Sequence, residues 1–137
     1  MKVAIIHFLE KNNAKHKSVL EGLSKGIKKN GHDVTIMHAH TQMYNVKLPI
    51  YDYIFIVAKP LSLFSAKIDQ TILKVLSSHG TLIGKKSSAL ILKNTFSFFA
   101  EKACIALMNA MEKEGMFVNN FMIISNSNQA MSFGRKL

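Results

Sequence analysis

Arginine is almost missing from this chain. Of 18 basic residues in 137, only Arg135 is not a lysine, and they face just 8 acidic residues, for a net charge of +10. The rigid guanidinium fork that reads base edges is therefore nearly absent. The lysines also fall into separate small groups, Lys15/Lys17, Lys25/Lys28/Lys29 and Lys85/Lys86, not one block. That pattern describes a solvated basic surface, which draws acidic partners or phosphorylated ligands without reading a nucleic-acid sequence. Cysteine occurs once, at Cys104, so an internal disulfide is excluded. Long apolar runs are missing too: Val3 to Ile6 and Ile54 to Ala58 fall far short of the ~20 residues that cross a bilayer. No small-residue cleavage site follows Val3 to Ile6, so the expected address is the cytoplasm. No Walker loop and no nucleophile-elbow motif occurs, which removes the usual phosphate-loop and serine-hydrolase readings.

What is present is strand and helix in alternation. Lys2 to His7 is a short apolar run suited to a strand covered on both faces. Val19, Leu20, Leu23 and Ile27 then mark a helical stripe within Lys15 to Asn30. Gly22 and Gly26 lie one turn apart there, cost helix stability, and point to close approach by a neighbour. Asn30-Gly31 suits a left-handed cap. Asp33 to His38 reads as a second strand, and Tyr51 to Ala58 as a central buried third. Ile68, Ile72, Val75 and Leu76 form a second stripe, Lys86 to Leu92 a fourth strand, and Ala100, Cys104, Leu107, Met108 and Met111 a third stripe. Phe117 to Ser125 reads as a fifth strand and Gln129 to Leu137 as a short final helix. This order predicts a single α/β domain over 1–137, a parallel sheet with helices on both faces.

In this order and spacing the chain resembles the flavodoxin-like family along its whole length. Lys2-Val3-Ala4-Ile5-Ile6 resembles the family's first strand. Tyr51-Asp52-Tyr53-Ile54-Phe55-Ile56-Val57, followed by Pro60, resembles its third strand and the proline beyond it. Gly84-Lys85-Lys86, Ala103 to Gly115, and the ending Ala130 to Leu137 also match. The resemblance implies a doubly wound five-stranded sheet of order 2-1-3-4-5. It also implies a ligand crevice at the carboxyl ends of strands 1, 3 and 4. It further implies flavin mononucleotide (FMN) as cofactor and electron transfer or reduction of a small acceptor as activity.

Carried over by position, the implied cofactor residues are Glu10, Lys11, Asn12 and Asn13, then Pro60 and Phe64, then Asn94, Thr95 and Phe96. The family's phosphate loop carries three hydroxyls and a glycine. Here Leu9-Glu10-Lys11-Asn12-Asn13-Ala14 has no hydroxyl, Asn12 stands for the glycine, and Glu10 adds a like charge. Backbone amides at a helix start remain, with Lys11, Asn13 and Lys15 close by. In the second loop Phe64 is the aromatic ring available. The third, Lys93 to Phe99, has no glycine, and Phe96, Phe98 and Phe99 suit an apolar pocket of another shape.

His7, His38 and His40 fall at the ends of strands expected to be neighbours. Three imidazoles suit zinc, but no Cys, Asp or Glu clearly completes the set, and surface or capping histidines are the reading adopted. Cys104, on an apolar stripe, reads as a core thiol. The short final helix leaves apolar surface to cover, which predicts a homodimer. Two functions follow. One is a flavoprotein that binds FMN and shuttles electrons to an unidentified redox partner. The other is a domain of the same fold without flavin, a binding or regulatory module for an acidic partner or another anion.

Overall fold

Five parallel strands form one sheet in the order β2-β1-β3-β4-β5 in a computed structural model, which describes residues 1–62, 64–94 and 98–137. The strands are β1 (Lys2–His7), β2 (Asp33–His38), β3 (Tyr53–Ala58), β4 (Lys86–Leu92) and β5 (Phe117–Ile124). The helices are α1 (Ala14–Lys28), α2 (Thr71–Ser77), α3 (Ala100–Lys113) and α4 (Ser127–Gly134). This is the three-layer architecture expected from the sequence, with the expected strand order.

Each face of the sheet carries its own core. Ala4, Ile6, Ile54, Ile56 and Ile91 point toward α2 and α3, where Ile72, Leu76, Cys104 and Leu107 meet them. Val3, Ile5, Phe55, Val57 and Leu90 point the other way, against Val19, Leu23 and Ile27 of α1 and Phe133 of α4. Every residue of β3 is buried, as its unbroken apolar run requires. Cys104 is buried, and that burial pushes its thiol above the ordinary range, which leaves it a small core hydrophobe.

Several elements start later or earlier than periodicity suggests. β3 begins at Tyr53 because Tyr51-Asp52 is spent on a corner. Asp52 Oδ2 accepts the Lys2 N–H at 2.7 Å, and Lys85 Nζ donates to the carbonyls of Pro49 and Tyr51. α2 begins at Thr71, so Ile68 packs on the core from the preceding loop. Asp69 Oδ1 accepts both the Thr71 N–H and its hydroxyl, which sets that start. α4 begins at Ser127, because the Asn126 side chain accepts the Gln129 N–H and makes Asn126 the N-cap. The predicted left-handed cap of α1 is present at Gly31, φ 78°.

β5 closes the sheet on one side. Asn119 bulges between the pairs Ser87–Val118 and Ser88–Asn120, and Phe117 and Phe121 stand exposed along this edge.

Candidate functional site

All five strands run the same way, so all their carboxyl ends, His7, His38, Ala58, Leu92 and Ile124, lie along one edge of the sheet. β1 sits between β2 and β3, so the connections leaving β1 and β3 part to opposite faces, and a crevice opens between them. A cavity of about 340 Å³ occupies this position. That volume is within the range of small-molecule sites. Glu10 and Asn13 line it from the β1 loop, Lys59 and Pro60 from the β3 loop, and Lys93 and Asn94 from the β4 loop. Lys15 and His16, on the first turn of α1, also line it.

The loop from β1 to α1 is held by its own side chains. Asn13 is the N-cap of α1, with Oδ1 accepting the His16 N–H at 3.1 Å. His16, the third helical residue, reaches back so that Nδ1 accepts the Glu10 N–H at 3.1 Å. This is a relative of the capping box, with an imidazole in place of the usual Glu. An accepting Nδ1 requires a neutral ring with its proton on Nε2. Burial, and next the Lys59 ammonium, hold His16 below its ordinary range, which agrees with that state. Replacing Asn13 with alanine should cost about 1 kcal/mol of stability, read as a lower urea midpoint. An unchanged midpoint would mean that the His16 amide has another acceptor.

Across the cavity rim, Lys59 Nζ donates to Glu10 Oε1 at 2.5 Å. The Lys59 hydrogen bond and charge hold the Glu10 carboxyl below the usual range, so it is ionised at neutral pH. Lys15 and Lys93 add two more cations, so the lining is net positive.

Phe64 and Phe98 bridge the same two loops that follow β3 and β4. Their rings stack with centroids 5.6 Å apart and planes 12° from parallel, though the side chains are 74% and 68% exposed. Two large rings exposed to water on these loops present a platform for another flat group. Lys93 and Phe98 also line a second hollow of about 570 Å³ that reaches Gln129 of α4.

Of the residues expected from sequence, Glu10, Asn13, Pro60 and Asn94 line the cavity. Lys11, Asn12 and Phe64 are exposed and outside its lining. Thr95 and Phe96 lie outside the described residues. His16, Lys59 and Lys93 were not anticipated. The signal for His16 is the spacing Asn13-x-x-His16, which fits an N-cap and the position three residues on.

The histidines at the ends of β1 and β2 do come together. His7 and His38 meet edge to face with centroids 5.0 Å apart, and His38 and His40 at 5.7 Å. Their nitrogens do not converge: His38 Nε2 donates to the Leu9 carbonyl, and His40 turns to Asp69 at 3.1 Å. Among the described residues no group of His, Cys, Asp or Glu is arranged to hold a metal ion. His40, Asp69 and Thr71 do not form a catalytic relay either. Both Asp69 and Thr71 reach the same Nε2, whereas a nucleophile and an orienting acid must sit on opposite ring nitrogens.

Comparison with known structures agrees with this geometry. Oxidised flavodoxin 1 from Bacillus cereus superposes with a TM-score of 0.72 at 14% identity, over 98% of this chain and 95% of that one. A flavodoxin from the domain Archaea gives 0.69 at 18%, over 100% and 93%. The chain has the flavodoxin fold. Two-electron reduced flavodoxin from Megasphaera elsdenii is similar again, with a TM-score of 0.69 at 13% identity over 98% and 99%. No protein-family model matches the chain, and no curated protein matches it in sequence. Nor is any helix among the described residues long and apolar enough to cross a membrane.

Proposed function

We propose that this flavodoxin-fold chain binds FMN at the crevice between the β1, β3 and β4 loops and serves in electron transfer or reduction of a small acceptor. The observation that carries this reading is a net-positive cavity at the carboxyl ends of β1, β3 and β4, with an exposed aromatic pair on the loops that follow β3 and β4. Size, charge and ring faces fit a phosphorylated flat molecule. Lys15, Lys59 and Lys93 would neutralise the phosphate, aided by the start of α1, where the helix dipole favours negative charge. Phe64 and Phe98 would take the ring. When bound, the flavin supplies the redox chemistry, and the chain supplies position and electrostatics.

Reconstitution tests this. Protein incubated with excess FMN and desalted should be yellow, with the visible band of an oxidised flavin. FMN should bind roughly tenfold more tightly than riboflavin, since only FMN carries the group the lysines meet. Raising salt should narrow that gap. Colourless protein with an unmoved melting temperature in excess FMN would end the flavin reading.

A second reading is favoured by one observation. Two of the loop amides that would face a phosphate are already used, the Glu10 N–H by His16 and the His16 N–H by Asn13. In that reading the domain is a binding or regulatory module, and its basic surface meets an acidic protein or a different anion. Either way a homodimer is proposed, with the exposed Phe117 and Phe121 as the apolar surface to cover. A monomer mass by light scattering at micromolar concentration would count against it.

A further inference from the structure

Glu10 is an acid at the rim of a basic cavity, and its placement is specific. It follows β1 and Lys59 follows β3, and those strands are hydrogen-bonded neighbours. The Glu10–Lys59 pair therefore ties two site loops together over residues 49 apart in sequence. The main chain of Glu10 is fixed: its N–H donates to His16 Nδ1, and its carbonyl accepts the Asn13 N–H. Its side chain is held more loosely, by the Lys59 ammonium and by a hydrogen bond with the Asn13 side chain. It is 64% exposed, and its Lys59 partner 36%. An ion pair that wet is weak and exchanges readily, so the carboxylate can swing away while the loop stays in place. Among the described residues Lys15 and Lys93 have no ion-pair partner, so an arriving anion meets them first.

We propose that Glu10 is a resident competitor for the anion site, and that it selects dianionic phosphate monoesters over carboxylates. This rests on the cavity being the anion site named above. A phosphate carries a charge of about −1.5 to −2 and three acceptor oxygens. It outbids a single carboxylate for Lys59 while also engaging Lys15 and Lys93. A monocarboxylate offers Lys59 nothing that Glu10 does not already supply, and it meets repulsion from Glu10 besides. Selectivity here comes from an element placed against the wrong ligand, not only from contacts to the right one.

Inorganic phosphate and acetate are suitable probes, titrated into wild type, Glu10→Gln and Lys59→Met at constant ionic strength and followed by NMR shifts of His16 and the loop amides. Glu10→Gln keeps the fold, because the side chain is mostly in solvent. It should bind phosphate roughly tenfold more tightly than wild type and acquire measurable acetate binding. Lys59→Met should lose phosphate binding, and adding Glu10→Gln to it should restore little. Equal or weaker phosphate binding by Glu10→Gln overturns the proposal, as does acetate binding by wild type equal to that of Glu10→Gln. FMN titration of the same proteins separates the two ideas. Phosphate selectivity without flavin binding leaves Glu10 in its role and removes the flavin. Flavin bound equally by wild type and Glu10→Gln does the reverse.

Discussion

Alanine at position 26 is expected to destabilise the protein by about 3 kcal/mol or more, although alanine is the better helix former by about 1 kcal/mol. Packing decides the sign. A Cβ at Gly26 would strike the Met131 carbonyl oxygen and come within 3.1 Å of the Arg135 nitrogen. One turn earlier, a Cβ at Gly22 would strike the backbone and side chain of Ser127, and from the other helix one at Gly134 would sit 2.5 Å from the Leu23 carbonyl oxygen. These neighbours are mostly main chain, which cannot rotate aside as a side-chain tip does. α1 and α4 must therefore separate, and that lifts Phe133 and Ala130 off the core they share with Leu23 and Ile27. Urea unfolding of Gly26→Ala against wild type checks this. A higher midpoint for the variant would show that the helices re-space freely and that the glycines serve nothing.

Acid should weaken the fold in a window set by His7. This ring is 5% exposed at the carboxyl end of β1, and its Nδ1 is buried without a hydrogen-bond partner. Burial, followed by the charges of His38, His16 and Lys11, lowers its pKa to about 4. In the unfolded chain the ring titrates near 6.5. Between those values the unfolded state holds a proton that the native state refuses, so stability falls as pH drops from about 6.5 to about 4 and levels below. The expected loss is about 3 kcal/mol from His7. Burial also lowers His38 and His16, so their contributions fall in the same direction. Glu10 and Asp69 are held below their ordinary values, so what they add is lost only at lower pH, outside most of this window. His7→Leu should flatten the dependence of the urea midpoint on pH between 6.5 and 4. An unchanged slope in that variant would move the cause elsewhere.

The fold was legible because its signals are local. β1, β2 and β4 have the bounds read from the sequence, and the Gly22/Gly26 spacing correctly announced a close neighbour. The misplaced starts of β3, α2 and α4 share a cause. Each is set by one side chain that spends a residue on a corner or cap, namely Asp52, Asp69 or Asn126. Such bonds leave no periodic trace. The expected place of the crevice, and Glu10 and Asn13 as site residues, came from the family resemblance, and both residues line the cavity found there. Lys59 and Lys93 were hidden among many similar lysines. Only strand order brings Lys59 to Glu10, and nothing near Glu10 in the chain marks its partner. Of the residues placed by family position, Glu10, Asn13, Pro60 and Asn94 line the cavity, while Lys11 and Asn12 stand outside it.

The seam between α1 and α4 joins distant stretches of chain; the Asn30 side chain, just past α1, donates to the Arg135 carbonyl 105 residues later. During synthesis on the ribosome, the bare glycine face of α1 must therefore wait for β2 to β5, α2 and α3 to emerge before its cover arrives. α4 acts as a latch over α1, and a nascent chain stalled before residue 127 leaves that face open to chaperones.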